Sequence, residues 1–410
     1  MFSIAEQIAQ MKRGVIDLIN EEKLTAKLKL GRPLRVKFGA DPSAPDLTLG
    51  HCVQLRALRR MQEFGHQVVF IIGDFTAMIG DPSGRSATRP QLTREQVRAN
   101  AETYVAQASK VLDMEKAEIR FNSEWLGTLT PEDMIRLAGK FTVAQMLERD
   151  DFAKRFAAQA PIGIHELFYP LMQGYDSFAV QADIEFGGTD QKFNLLVGRE
   201  MQRVHNMAEQ VVITRPLIPG TDGVKKMSKS LGNYIAVLDT PDDMYGKVMS
   251  LPDNLIAMYM EYLTDIPMNE VDEIVKTMGQ GGMNPRDAKD KLAREIVASM
   301  YDVEAGTLAS DNFRRTFGGR GQSIADYRAV AESIALTSEQ FGVAISLAKL
   351  MLETGMTTSA GEARRLIQQG AVHVGEDKIT DPQAVITPQE DMLIRAGKRR
   401  IVVLTAQMEV

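Results

Sequence analysis

Residues 34 to 73 run apolar strand, amphipathic helix, apolar strand, and few folds accept that order. LRVKFG (34–39) alternates like a short strand, and the loop ADPSAPD after it is rich in turn formers. Leu49, Cys52, Leu55, Leu58, Met61 and Phe64 recur at every third position, with Val53 and Ala57 beside them, and Gly65 ends the pattern. QVVFIIG (67–73) is a second apolar strand. Two strands joined through a helix make a βαβ unit, and its strands lie parallel because the helix crosses back over the sheet. EIRF (118–121), ADIEF (182–186) and QVVITRPLI (210–218) continue the alternation, with helical segments between them. The expectation is an α/β fold with a doubly wound, Rossmann-like parallel sheet through about residue 225, and a helical insertion over about 125–180.

The pattern then changes. TPDD has the form of a helix start, with Thr240 as cap, Pro241 in the first position and acids in the first turn. NPRDAKDKLAREIVASMY (284–301) repeats the device. We expect an α/β domain over 1–238, an all-helical domain over 239–317, and a linker over 318–340 marked by GGRGQS (318–323). A small α+β module follows over 341–410. There, helical ISLAKLMLETG and SAGEARRLIQQG precede strand-like AVHVGEDKIT and DMLIRAGKRRIVVL.

Composition narrows the functional classes. The 410 residues suit two or three domains, and 44% hydrophobic with 25% charged residues is ordinary for a globular protein. A net charge of −6 gives no overall nucleic-acid footprint, which leaves local basic patches open. The single cysteine, Cys52, permits no disulfide within the chain and fits a reducing compartment. His51, His66, His165, His205 and His373 lack metal-ligand spacing, so no protein-held metal is expected. The N-terminal MFSIAEQIAQMKRGVIDLI reads as an amphipathic helical pattern without a signal peptide's apolar run. No stretch of about 18 apolar residues occurs, so the expectation is a cytoplasmic protein with no membrane span.

Several local clusters carry chemistry. In LTLGHCVQL (47–55), Gly50 and His51 fall in the first turn of the helix after the first strand. Ligands of an open α/β sheet bind outside the carboxyl ends of its strands, and a helix N-terminus there offers free N–H groups suited to phosphate. Gly50 lets a flat base approach the backbone, and His51 can donate to a phosphate oxygen. Alone, such a tripeptide more often serves packing and capping. IGDPSGRS (79–86) has three residues between its glycines and Arg85 where a Walker loop needs lysine, which disfavours a P-loop. Asp81 within it is a turn residue, or a carboxylate placed to meet an ammonium group.

If YPLMQGYD (169–176) is helical, Tyr169, Gln173 and Asp176 share one face. That stripe is either an interior hydrogen-bonded network or a polar pocket for a small zwitterion. FGGTDQKFN (186–194) follows a strand directly. Gly187 and Gly188 there admit a ligand to the backbone, and Asp190 and Gln191 stand where a ribose hydroxyl can bind. GVKKMSKSLG (223–232) sets lysines between two glycines on the edge of the same sheet. Such a run is usually a solvated loop, but here a hinged lysine segment can close over a triphosphate. Charge that meets phosphate chiefly in the transition state speeds its transfer.

LGH at 49–51 and KMSKS at 226–230 resemble, in order, the two signatures of class I aminoacyl-tRNA synthetases. Within that class, YxxxQxYD at 169–176, GGTDQ at 187–191 and DGVKKMSKSLGNYI at 222–235 are similar to the tyrosyl-tRNA synthetase family. The C-terminal module resembles the ribosomal-type RNA-binding domain of its bacterial members, so the resemblance spans essentially the whole chain. It implies that Asp81, Tyr169 and Gln173 hold the amino group of tyrosine, with Gly39 in the same pocket. Asp176 would accept the phenol hydroxyl, and Gln191 would lie near the reacting carboxylate. Asp41, Gly50, His51, Gly188 and Asp190 would face ATP, with Asp190 on the ribose. Lys226 and Lys229 would steady the leaving pyrophosphate, with Ser230 supporting the loop and Thr48 and His51 at the first signature.

The resemblance also implies Mg²⁺ arriving with ATP, tRNA(Tyr) as partner and a homodimer. RNA contacts would fall at Arg364, Arg365, Lys398, Arg399 and Arg400. Three positions depart from the common pattern. Thr48 replaces the first histidine of the HIGH signature, Lys37 a tyrosine that touches the phenol hydroxyl, and Glu185 a glutamine. Tryptophanyl-tRNA synthetase is a neighbouring alternative, disfavoured by Asp176 and the appended module. A non-catalytic RNA-binding descendant is disfavoured by the intact KMSKS, Asp176 and Asp190.

Overall fold

The expected βαβ unit is present and lies at the centre of a six-stranded sheet. The computed structural model of the chain describes residues 2–42, 46–83, 93–317, 327, 331–337, 340–397 and 400–406. The GGRGQS stretch, Lys398 and Arg399 lie outside the described residues. The chain divides into two compact units, Met1–Gly306 and Thr307–Val410.

The first unit holds β1 (Asp17–Ile19), β2 (Arg35–Ala40), β3 (Gln67–Ile72), β4 (Glu118–Phe121), β5 (Ile184–Gly188) and β6 (Val211–Arg215). Their spatial order is β1-β6-β5-β2-β3-β4, and β2 to β6 are parallel. From β2 the chain builds outward through β3 and β4, then returns to lay β5 and β6 on the other side. The direction of winding therefore reverses between β2 and β5, and the crevice at their carboxyl ends is a topological switch point.

Between β2 and β3 runs the Leu49–Glu63 helix. It turns Leu49, Cys52, Val53, Leu55, Leu58 and Met61 into the core, and the chain leaves it through Gly65 at φ +87°. Between β4 and β5 lie the short helices Ser123–Leu126, Pro131–Ala138, Val143–Met146 and Asp150–Ala157, then the long Ile164–Ala179 helix. They enclose a satellite core of Leu126, Leu137, Met146, Leu171, Met172, Val197 and Met201. Pro241–Met249, Ile256–Leu263, Met268–Gly279 and Pro285–Met300 form the helical stretch after the sheet. Thr240 caps the first of these through a hydrogen bond from the Asp243 N–H, and Asn284 caps the last.

The N-terminal segment corrects the sequence reading. Its helix spans only Ile4–Met11, and Asp17–Ile19 is strand β1, antiparallel to β6 at the sheet's edge. Gly14 breaks the helical pattern: it sits at φ +66°, and a Cβ there would lie 2.3 Å from the Tyr262 ring. No residue with a side chain makes that turn without displacing the ring.

The second unit carries β7 (Glu332–Leu336), β8 (Ile345–Ser346), β9 (Val372–Val374), β10 (Asp377–Ile379), β11 (Val385–Ile386), β12 (Leu393–Ala396) and β13 (Arg400–Ala406). Five of them form a sheet in the order β10-β9-β12-β13-β7, and β11 pairs with β8. The helices Leu347–Glu353 and Ala360–Gln368 contribute Leu347, Leu350, Met351, Ala363 and Ile367 to one core with Val372, Ile394 and Leu404. β7 lies inside the stretch expected as linker and pairs in parallel with β13. The sheet of this unit thus begins before residue 341. No helix among the described residues is long and apolar enough to cross a membrane.

Candidate active site

Two polar networks meet in the crevice between β2 and β5. The first is built on the Ile164–Ala179 helix, which places Tyr169, Gln173 and Asp176 on one face, as their spacing predicts. The Tyr169 hydroxyl donates to Asp41 Oδ2 at 2.9 Å, and Thr76 donates to Asp41 Oδ1 at 2.7 Å. Asn122 Nδ2 links Thr76 Oγ1, at 3.0 Å, to Asp176 Oδ2, at 3.3 Å. Trp125 Nε1 donates to Asp176 Oδ1 at 2.8 Å. Asp41, expected to face ATP, is thus tied to the residues expected to hold tyrosine. Burial pushes the Asp176 carboxyl up to about 7, against the opposing pull of Lys37 and of the Trp125 and Asn122 hydrogen bonds. Burial, with Asp41 and Asp81 nearby, holds the Tyr169 phenol well above its ordinary range.

The second network centres on Asp81. Gln191 Nε2 donates to its Oδ2 at 2.8 Å and Arg149 Nη2 to its Oδ1 at 3.3 Å. Arg149 also reaches Ser83 at 2.6 Å and Asn194 at 3.2 Å. Asn194 Nδ2 in turn donates to Gln173 Oε1 at 2.9 Å and Gln191 Oε1 at 3.0 Å. The chain therefore brings Asp81, Gln173 and Gln191 together through two residues the sequence reading did not assign, Arg149 and Asn194. Asn194 closes the FGGTDQKFN stretch, three residues beyond Gln191, and that spacing was its available signal. Arg149 comes from a short helical insertion, and nothing local announces it. Gly39, near the carboxyl end of β2, is exposed, and a Cβ there would meet nothing within 4 Å.

The other side of the crevice is the start of the Leu49–Glu63 helix. The Thr48 N–H donates to His51 Nδ1 at 3.1 Å, and Thr48 Oγ1 lies 3.0 Å from the same nitrogen. With Nδ1 as acceptor, the imidazole proton sits on Nε2. Burial and the neighbouring Lys229 lower His51 to about 4, so it is a neutral donor at pH 7. Residues 47–49 pair with 235–237, through Leu49 N to Ile235 O at 2.9 Å and Val237 N to Leu47 O at 3.0 Å. That pairing anchors the end of the lysine segment to the helix start.

The lysine segment itself lies across the crevice. Gly223 and Gly232 adopt positive φ at its ends, +77° and +65°. A Cβ on Gly50 would stand 3.8 Å from Met227 Cβ, so the loop rests directly on the first turn of the helix. Lys226 Nζ reaches within 3.9 Å of Asp190 Oδ2, just beyond β5, and Lys229 Nζ donates to the Asp46 carbonyl, just before the helix. Burial raises Asp190, with Lys226 opposing, and burial lowers Lys229. Ser230 is exposed, and its hydroxyl lies 2.9 Å from that of Ser228. Asn233, also unassigned from sequence, clasps the segment. Its Oδ1 accepts from Ser228 N at 2.8 Å, and its Nδ2 donates to Asp222 Oδ2 at 2.8 Å and to the carbonyls of Lys225 and Lys226, each at 3.2 Å.

In the second unit, Arg364 and Arg365 are exposed on the Ala360–Gln368 helix. Arg400 pairs with Glu362 of that helix at 2.7 Å.

A glycine-flanked lysine loop over a helix N-terminus, at the switch point of a parallel sheet, is an arrangement suited to holding the phosphates of a nucleotide. The model of the class I tRNA synthetases (W and Y) matches residues 29–318, and the chain belongs to that family. The SYY-like C-terminal domain of tyrosine–tRNA ligases matches residues 331–404. The tyrosine–tRNA ligase of Moorella thermoacetica is 50% identical over 401 residues, covering 97% of this chain and 95% of that protein. The tyrosine–tRNA ligase of Thermotoga maritima is 50% identical over 395 residues, 96% of each chain. The tyrosyl-tRNA synthetase of Archaeoglobus fulgidus, solved with L-tyrosine, superposes with a TM-score of 0.63 at 22% identity, over 75% of this chain and 100% of that one. A truncated mitochondrial tyrosyl-tRNA synthetase from Aspergillus nidulans gives 0.63 at 21%, over 77% of this chain and 95% of that one. At those identities the two structures share the fold.

Proposed function

We infer that the chain activates tyrosine with ATP and transfers it to the 3′ end of tRNA(Tyr). The observation that carries the reading is the lysine loop closed on the helix start, with Lys226 toward Asp190 and Lys229 toward Asp46. ATP binds between these elements, its ribose at Asp190 and its phosphates against Gly50, the His51 Nε2–H and the loop lysines. Lys229 then exchanges the Asp46 carbonyl for pyrophosphate oxygens. Tyrosine lies along the Ile164–Ala179 helix, its phenol hydroxyl donating to Asp176 and its ammonium group among Asp81, Tyr169 and Gln173, with Gly39 and Gln191 beside it.

The tyrosine carboxylate attacks the α-phosphate, the bond to pyrophosphate breaks, and tyrosyl-adenylate forms. The terminal ribose hydroxyl of the tRNA next attacks the carbonyl and releases AMP. No side chain need act as a covalent nucleophile. Catalysis is positioning and charge stabilisation by Thr48, His51, Lys226, Lys229 and Ser230. Mg²⁺ belongs to the nucleotide substrate. Phenylalanine would leave the desolvated Asp176 without its donor, which disfavours it.

Residues 1–238 would form the catalytic domain, 239–317 the helical domain on the anticodon side, and the stretch from β7 onward, about 331–410, the RNA-binding module. Arg364 and Arg365 supply its phosphate contacts, with Arg400, Lys398 and Arg399. The chain would work in the cytoplasm as a homodimer. Support for the dimer comes from Ile135, Val143, Phe156 and Ile164, which expose 63–77% of their surface within the helical insertion.

The test is ATP–pyrophosphate exchange against all twenty amino acids, followed by charging of tRNA(Tyr). Tyrosine alone should support exchange. Exchange with tryptophan instead would move the chain to the other branch of its family, and exchange with no amino acid would leave an RNA-binding descendant.

A further inference from the structure

Two of the three departures from the family pattern turn out to be a single feature. Lys37 and Glu185 stand directly opposite in the parallel register of β2 and β5, at the switch point itself. Their side chains are 0% and 1% exposed, and Lys37 Nζ lies 2.6 Å from Glu185 Oε1. The ammonium group also donates to the Gln173 carbonyl at 2.9 Å and to Ser177 Oγ at 2.8 Å. Ser177 donates to Glu185 Oε2 at 3.1 Å, and Gln210 Nε2 donates to the same oxygen. The packing leaves no slack: a Cβ on Gly198 would lie 2.7 Å from both Ser177 Oγ and Gln210 Nε2. Gln173 and Ser177 flank Asp176 on the same helix, so the lysine grips the turn that carries it.

Resting on the tyrosine-activating reading, we propose that Lys37 is a positioning residue for tyrosine recognition. Held by Glu185, it pins the turn bearing Gln173 and Asp176, and its charge keeps the Asp176 carboxylate able to accept the phenol hydroxyl. Both Asp176 oxygens already take one donor each, from Trp125 and Asn122. A protonated Asp176 would use one of those lone pairs for its own proton and offer the phenol a poorer acceptor. Burial works toward that proton, and Lys37 is the leading cation against it. The charged groups acting on Asp176 are Lys37 from β2 and Glu185 from β5; Tyr169 on the same helix faces Asp41 and Asp81. Lys37 is the cation that acts on Asp176 itself, while Arg149 is held against Asp81.

The proposal gives opposite signs to two variants, which a merely structural role does not. The readout is the pH dependence of kcat/KM for tyrosine in pyrophosphate exchange, with phenylalanine measured as a competitive inhibitor. In the unmodified protein kcat/KM for tyrosine should rise through a midpoint near 7, the value to which Asp176 is raised, while phenylalanine inhibition does not. Lys37→Met should move the midpoint up by about one pH unit, a tenfold loss at lower pH that is recovered on the alkaline side. Glu185→Gln, which keeps the shape and neutralises the counter-ion, should move it down. Shifts of the same sign, or none, overturn the proposal. If either single variant fails to fold, Lys37→Met/Glu185→Gln decides, because it strands no buried charge. Its midpoint should lie above that of the unmodified protein, and an unchanged midpoint overturns the proposal. Absence of tyrosine-dependent exchange in the unmodified protein would instead remove the functional reading on which this rests.

Discussion

Asp176→Asn should stabilise the protein in alkaline solution while removing its tyrosine preference. The carboxyl is buried and raised from 3.8 to about 7, because the fold disfavours its charge. For an acid raised in this way, the neutral form's contribution is complete below 3.8 and is lost as pH rises to about 7. Each pH unit in that window costs about 1.4 kcal/mol, so the interval from pH 5 to the raised value is worth roughly 3 kcal/mol. Asparagine does not titrate, so the variant should gain about 3 kcal/mol on the unmodified protein between pH 5 and pH 8.

Asparagine can still accept from Trp125, but its amide opposes the Asn122 amide, a mismatch of about 1–2 kcal/mol. That mismatch is the same at both pH values and cancels in the difference. Urea unfolding of both proteins at pH 5 and pH 8, without substrates, measures it, and exchange assays give the tyrosine-over-phenylalanine preference. A stability gap that does not change with pH would refute the argument that Asp176 carries a desolvated charge.

Lys229→Ala should slow adenylate formation at least about tenfold, roughly 1.4 kcal/mol, with little change in tyrosine KM; an unchanged rate would remove the loop from catalysis. Thr48→Val should slow it by less than about tenfold, since the backbone N–H still holds His51 Nδ1 as acceptor; a larger loss assigns the threonine hydroxyl its own role. Asn233→Ala frees the carbonyls and amide it clasps and should slow adenylate formation while sparing tyrosine binding, checked by single-turnover kinetics and equilibrium titration. Removing residues 331–410, with β7 included, should spare pyrophosphate exchange and impair tRNA charging; equal loss of both would argue against a separable module.

What could be read in the sequence was whatever a local period encodes. The strand–helix–strand unit was legible because the apolar spacing of Leu49 to Phe64 is helical and QVVFII is not. Tyr169, Gln173 and Asp176 were legible as one face because helical geometry fixes their relation. β1 was not, because three residues hold too little pattern to compete with the helix before them, and its partner lies nearly two hundred residues away. Arg149, Asn122 and Trp125 reach the site through long-range packing that no spacing records. Lys37 and Glu185 were visible only as departures from the family pattern. Their pairing requires the strand order, which places β5 beside β2 although more than a hundred residues separate them.

The Lys37–Glu185 pair has a consequence for descent. Removing either member strands a buried ion, at a cost of about 3–5 kcal/mol, a large share of a typical domain's stability. A lineage that acquires both is therefore held to both, since each one-step path back crosses a weakened intermediate. The two codons behave as one inherited character, and relatives should carry the lysine and the glutamate together or neither.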